Sequence, residues 1–368
     1  MNIVRKIRVL VVDDSALVRR AISDALSADP ELEVVGTACD PYVARDKIKV
    51  LQPDVLTLDM EMPRMDGLTF LRILRERHPM PVVVVSSVTP AGSKLAMEAL
   101  EAGAVEVLAK PQSAYDLGEI RGQLARSVKA AARASSSNLR RPVLQAPPRV
   151  IASTAAFNAN QLVVIGASTG GTEAIKQVLR QLPENMPGIC IVQHIPAVFS
   201  RAFADRLNEL CAMEVREAVQ GDEVRPGLAL IAPGDFHMTV TPNGGRYRVN
   251  LNQGPPLHHT RPAVDVLFNS AAACAGRHAV GVILTGMGGD GAQGMRKLKE
   301  AGAATMVQDE ATCVVYGMPQ AAVALGVVDR VLPLEKISEA IMAELQPGTA
   351  TAAGIRKPPS VTVPTNTY

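Results

Sequence analysis

Short Val/Ile/Leu runs alternating with amphipathic stretches constrain this chain more than any other feature, and the pattern occurs twice. The first series is IRVLVV (7–12), LEVVGTA (32–38), DVLTL (54–58), PVVVVSS (81–87) and AVEVLA (104–109). Between these runs, segments near 15–27, 41–50, 66–77, 92–102 and 116–130 carry helical apolar spacing, for example at Leu17, Ile22 and Leu26. Near-continuous apolar runs suit strands buried on both faces, so five of them alternating with helices predict a parallel, doubly wound α/β sheet. The second series is LVVIG (162–166), GICIVQ (188–193), LALIAP (228–233), AVGVILTG (279–286) and AATMV (303–307), with helical stretches near 172–182, 198–211, 263–275, 290–301 and 335–345. It predicts a second, mainly parallel α/β domain. Residues 237–253 interrupt it with period-two alternation around Asn243-Gly244-Gly245, a β-hairpin excursion.

A chain of 368 residues exceeds what one core usually organises. Residues 131–160, rich in Ala, Ser and Pro with four arginines and no acid, have the composition of a solvated linker. The expected domains are therefore 1–130 and 161–346, with 347–368 too poor in apolar residues to pack. A net charge of +2 provides no global attraction to nucleic acid or an anionic surface. No apolar run reaches the length of a spanning helix, so no membrane insertion and a cytoplasmic location are expected. Five scattered cysteines without a C-x-x-C are expected to be reduced core residues.

In an open parallel sheet, functional groups collect outside the carboxyl ends of the strands. Asp13 and Asp14 follow the first run, Asp59 the third, Ser86 ends the fourth and Lys110 follows the fifth. Singly, Asp14-Ser15 could cap a helix, Asp59 could end a strand and Lys110 could lie in a solvated loop. Together, three carboxylates, a hydroxyl and an ammonium suit Mg²⁺ and a transferring phosphoryl group, with Asp59 as acceptor. At VVDDS, LTLDMEMPRMDGL, VVSS and AKPQ, residues 7–130 resemble a response-regulator receiver domain. The resemblance implies a flavodoxin-like 2-1-3-4-5 sheet, phosphorylation of Asp59 by a histidine kinase, and Mg²⁺ held by Asp13, Asp14 and Asp59. Ser86 and Lys110 would serve the phosphorylation switch. One departure is Val107, at a position often aromatic in that family.

In the second domain, Gly166-Ala167-Ser168-Thr169-Gly170-Gly171 leads from an apolar run into a helix. Glycines around a serine at such a turn can expose its hydroxyl above the sheet, making Ser168 a candidate nucleophile. Serine needs a base oriented by a carboxylate, and His194 and Asp290 stand after neighbouring runs. The glycine-rich turn could instead bind an anion, His194 could be a core histidine and Asp290 the cap of the next helix. His258-His259 is read as loop rather than metal pair, and Asp235 and His237 are held as substitutes for His194 or Asp290. The glycines around Met287 suit an oxyanion site.

At GASTGG, Gln193-His194-Ile195-Pro196 and Thr285–Gly291, the second domain resembles the catalytic domain of chemotaxis protein-glutamate methylesterases. The resemblance implies Ser168 as nucleophile, His194 as base then acid, Asp290 as its orienting partner, and Thr169 and Met287 at the acyl group and oxyanion. It also implies hydrolysis of glutamyl γ-methyl esters on chemoreceptors, deamidation of receptor glutamines, no cofactor for the ester chemistry, and a chemotaxis histidine kinase as phosphodonor. The alternative is a response regulator whose second domain only binds a partner or nucleotide.

Overall fold

The computed structural model describes residues 5–110, 116–134, 151, 157–158 and 160–346. Most of the predicted linker and the whole predicted tail lie outside the described residues. The first domain runs β1 (Ile7–Val12), α1 (Ala16–Ser27), β2 (Leu32–Ala38), α2 (Pro41–Leu51), β3 (Val55–Asp59), α3 (Gly67–Arg77), β4 (Val82–Ser86), α4 (Pro90–Glu101), β5 (Glu106–Ala109) and α5 (Asp116–Ala132). Its five strands are parallel in the order β2-β1-β3-β4-β5, as predicted. Alternate residues of β1 face opposite layers: Val9 and Val11 pack with Leu26, Leu124 and Val128, whereas Leu10 and Val12 meet Ile48, Leu71 and Leu74. Ser15, Asp40, Asp66 and Thr89 each accept a backbone N–H at the start of α1 to α4, so the chain enters each helix with a side-chain cap.

The second domain runs β6 (Leu162–Ala167), α6 (Gly171–Leu179), β7 (Gly188–Gln193), α7 (Ala197–Leu210), β8 (Glu214–Glu217), β9 (Glu223–Val224), β10 (Leu228–Ile231), β11 (His237–Asn243) and β12 (Arg246–Asn252). It continues through α8 (Val264–Cys274), β13 (Ala279–Ile283), α9 (Ala292–Glu300), β14 (Ala304–Gln308), α10 (Met318–Ala324), β15 (Arg330–Leu332) and α11 (Leu334–Leu345). Seven strands form one parallel sheet in the order β15-β14-β13-β6-β7-β10-β8. β11 and β12 form the predicted hairpin, and β9 pairs with β12. The winding reverses between β6 and β13, opening a crevice beyond their carboxyl ends.

Several expectations need correction. Leu17 is 78% exposed, so the buried face of α1 rests on Ile22 and Leu26. None of the five cysteines forms a disulfide, but Cys39 is exposed at the end of β2 rather than in a core. At the linker's far end, Ile151 donates its backbone N–H to Gln181 (2.9 Å) and, with Phe157, packs on the apolar core. Those two residues are docked rather than solvated.

The domains touch through α4 and β5. Arg206 on α7 grips Glu101 of α4, with Nε to Oε1 at 2.8 Å and Nη2 to Oε2 at 3.1 Å. Ser93 Oγ donates to the Val198 carbonyl (3.1 Å), and one continuous apolar cluster joins Met97 and Val107 to Phe199 and Phe203.

Candidate active site and phospho-acceptor site

The reversal of winding between β1 and β3 places Asp13 and Asp59 side by side. Ligand oxygens of Asp13, Asp14 and Asp59 all lie within 4.8 Å of one another. Asp13 and Asp59 are buried and Asp14 is exposed. Lys110 Nζ lies 2.7 Å from Asp59 Oδ2 and 3.1 Å from Asp13 Oδ2. Apart from that ammonium, these two buried oxygens have no hydrogen-bond partner among the described residues. Unsatisfied hard oxygens beside an exposed third carboxylate fit a Mg²⁺ ion that keeps part of its water shell. Burial raises the Asp59 carboxyl to about 6, with the Asp13 charge adding to that effect and Lys110 opposing it. Ser86 is fully buried, and its hydroxyl donates to the Gly92 carbonyl of α4 (3.2 Å) rather than to Asp59. Val107 is buried in the apolar cluster that crosses between the domains.

In the second domain, the pairing of Ala167 with Gln193 sets Ser168 and His194 one residue beyond adjacent strand positions. The His194 N–H donates to the Ala167 carbonyl (3.1 Å), and Gln193 Nε2 donates to the carbonyls of both Ser168 (2.9 Å) and His194 (3.1 Å). Across the crevice, Ser168 N–H donates to the Thr285 carbonyl (3.0 Å). A Cβ on Gly286 would come 2.8 Å from Ser168 Cβ and 2.3 Å from Met318 Sδ, so the close approach of these loops requires glycine.

His194 Nε2 lies 2.8 Å from Asp290 Oδ2. A carboxylate only accepts, so Nε2 carries the proton and Nδ1 presents its lone pair. Asp290 is buried and also accepts the N–H groups of Val264 (2.7 Å) and Asp265 (2.9 Å), at the start of α8. It therefore caps α8, not the following helix α9, where Gly291 provides no side-chain cap. Burial alone would raise this carboxyl, but hydrogen bonds from His194 and the two amides outweigh it and keep Asp290 below its ordinary value. Ser168 Oγ makes no hydrogen bond to His194 among the described residues; hydroxyl and imidazole stand at neighbouring strand ends, unjoined in this conformation. Catalytic hydrogen bonds often tighten only when substrate is bound.

Thr169 is buried and its hydroxyl donates to Glu106 Oε2 of β5 (3.0 Å). Met287 is half-buried in the turn opposite Ser168. Asp235 and His237, the substitutes, have other tasks: Asp235 pairs with Arg261, and His237 bonds the Pro255 carbonyl and the Ala263 N–H. Both tie down the 253–263 loop. His258 pairs with Asp265 (2.9 Å), and ligand atoms of His258, Asp265 and Asp290 lie within 4.8 Å of one another. Their carboxylate oxygens are already committed, to Gly294 N–H and His258 for Asp265 and to His194 and two amides for Asp290. This donor set does not fit a metal.

Sequence reasoning missed Glu106 and the Glu101–Arg206 pair, and it quoted Gln193 without giving it a role. An acid inside the apolar run AVEVLA was the available signal for Glu106. The ion pair joins residues 105 positions apart and left no sequence signal.

A carboxylate cluster at the end of one parallel sheet and a Ser/His/Asp arrangement at the end of another, in domains that meet through α4 and β5, fit a response regulator whose output is an enzyme. Residues 9–120 match the response regulator receiver domain model, and residues 163–341 match the CheB methylesterase model. A protein-glutamate methylesterase/protein-glutamine glutaminase of Syntrophus aciditrophicus is 52% identical over 342 residues, covering 92% of this chain and 98% of its own. The Pectobacterium atrosepticum protein of that name is 50% identical over 351 residues, covering 94% and 99%. The solved Thermotoga maritima CheB methylesterase catalytic domain is 40% identical, covering 50% of this chain and 97% of its own, with a TM-score of 0.49. The chain belongs to the receiver-fused protein-glutamate methylesterase/protein-glutamine glutaminase family.

Proposed function

We propose that this protein removes methyl groups from glutamyl γ-methyl esters of chemoreceptors and deamidates receptor glutamines, through Ser168, His194 and Asp290, under control of phosphorylation at Asp59. The observation that carries the catalytic reading is the His194–Asp290 hydrogen bond at 2.8 Å, one strand from Ser168. With Asp290 fixed by two amides, His194 Nδ1 takes the Ser168 hydroxyl proton as the oxygen attacks the ester carbonyl. The protonated imidazole then delivers that proton to the departing methoxide, releasing methanol, or in the glutamine reaction to the departing amide nitrogen, releasing ammonia. Water, activated by the same nitrogen, hydrolyses the acyl-serine. Thr169 and the backbone at Met287 are assigned to the acyl group and oxyanion.

The receiver's role follows from its position. α4 and β5 lie against α7 and the Thr169 turn, next to Ser168, and these contacts support a receiver that restricts approach to the crevice. Asp13, Asp14 and Asp59 would hold Mg²⁺, which neutralises charge on an incoming phosphoryl group. Ser86 reaches α4 through Gly92, so a phosphoryl group that recruits this hydroxyl withdraws a hydrogen bond from the helix that touches the catalytic domain. That shifts the population toward separated domains. The substrate is a methylated chemoreceptor, the phosphodonor a chemotaxis histidine kinase, and the setting the cytoplasm; among the described residues no helix is long and apolar enough to cross a membrane.

Methanol release from methylated receptor, measured with and without a phosphodonor, tests both halves. Release that rises with the phosphodonor supports the reading. A chain that binds receptor and releases no methanol under either condition is a binding module instead.

A further inference from the structure

Glu106 crosses the domain boundary with a carboxyl group. It sits in β5 among Val107, Leu108 and Ala109, half-buried, where an acid without partners would be costly. Two hydroxyls satisfy it: Ser127 Oγ of α5 donates to Oε1 (2.9 Å), and Thr169 Oγ1 donates to Oε2 (3.0 Å). Burial raises this carboxyl above its ordinary value, while those two hydrogen bonds and the nearby His194 imidazole oppose the rise. The side chain thus lies within electrostatic reach of the imidazole and is bonded to the residue immediately after Ser168.

If the esterase reading holds, on which this inference rests, the crevice is built for a glutamyl side chain. We propose that Glu106 occupies the acyl subsite as an internal mimic of the reaction product, presenting a glutamate γ-carboxyl to the Thr169 hydroxyl in place of the receptor's own. The two hydroxyl partners differ in a way that suits release. Ser127 belongs to the same domain as Glu106 and stays with it when the domains part, whereas Thr169 is freed for substrate. A tethered ligand works at an effective concentration in the millimolar range, so one weakly held carboxyl is enough to compete with receptor.

The test uses full-length, unphosphorylated protein and methanol release from methylated receptor. Glu106→Ala raises basal kcat/KM about tenfold or more, equivalent to about 1.4 kcal/mol. Glu106→Gln, which keeps the shape and one acceptor, gives a smaller rise and serves if the alanine variant does not fold. In the phosphodonor-activated wild type, N-acetyl-glutamate N-methylamide inhibits competitively, and the aspartate analogue, one methylene shorter, is about tenfold weaker. Unchanged basal rates in both variants, or equal inhibition by the two capped acids, would overturn the proposal. Failure of the esterase reading looks different: the activated wild type itself releases no methanol.

Discussion

Arg206 and Glu101 face each other across the domain boundary in a two-pronged ion pair, Nε to Oε1 at 2.8 Å and Nη2 to Oε2 at 3.1 Å. Neither side chain is deeply buried, at 41% and 29% exposure, which limits such a pair to roughly 0.5–1 kcal/mol. Removing it with Glu101→Ala or Arg206→Ala should therefore favour the open arrangement about two- to fivefold. Basal methanol release rises by that factor, and the further gain from a phosphodonor shrinks accordingly. Parallel assays of the two variants with and without phosphodonor check this; identical wild-type ratios would show that the pair does not hold the domains.

Asp290 is engaged by His194 and by the N-terminus of α8 at once. Asp290→Asn retains the shape and removes the charge, and an amide nitrogen facing Nε2 favours the wrong imidazole tautomer. Loss of kcat should reach about 10³–10⁴-fold. Stability falls by only about 1 kcal/mol, the usual cost of weakening a helix cap. Thermal unfolding and steady-state kinetics on one preparation separate the two effects.

Gly286 passes so close to Ser168 that an added methyl has no room. Gly286→Ala should displace the Ser168 turn and lower esterase activity about 10²-fold. Phosphorylation of Asp59 should be unaffected, because the receiver sheet is separate. A phosphorylation time course alongside the methanol assay distinguishes this local effect from general misfolding.

The Asp59 carboxyl titrates near 6 in the folded, metal-free site against an ordinary value of 3.8. A raised folded value means that the native state binds more protons than the unfolded chain between those limits. Its stabilising contribution is complete below about 4 and is lost as pH rises through about 6, a change of order 1–3 kcal/mol. Asp59→Asn should flatten the metal-free stability profile over that window and raise stability at neutral pH. Added Mg²⁺ should raise wild-type stability chiefly above pH 6, where it no longer competes with the proton. Urea unfolding at a series of pH values, with EDTA or Mg²⁺, reads both effects.

The strands that carry the two sites were legible because they are buried on both faces and so read as unbroken apolar runs, as in VVVVS and GICIVQ. The strands that were missed are short edge or hairpin partners such as Glu214–Glu217 and Arg330–Leu332, whose charged residues follow exposure rather than backbone pairing. Leu17 failed because helical spacing does not say which apolar residue points to solvent. Ser168, His194 and Asp290 could be named from their positions at strand ends. The capping of α8 by Asp290, across 26 residues of sequence, could not. Nor could Glu106 be assigned a partner, since its contact with Thr169 depends on how two separate domains meet.

The central claim, that Ser168 attacks a receptor glutamyl ester, is tested most directly by methanol release from methylated receptor with phosphodonor present, comparing wild type with Ser168→Ala. The account predicts release by the wild type and essentially none by the variant, with receptor binding and Asp59 phosphorylation intact. A phosphorylated Ser168→Ala protein that still releases methanol at the wild-type rate would contradict it.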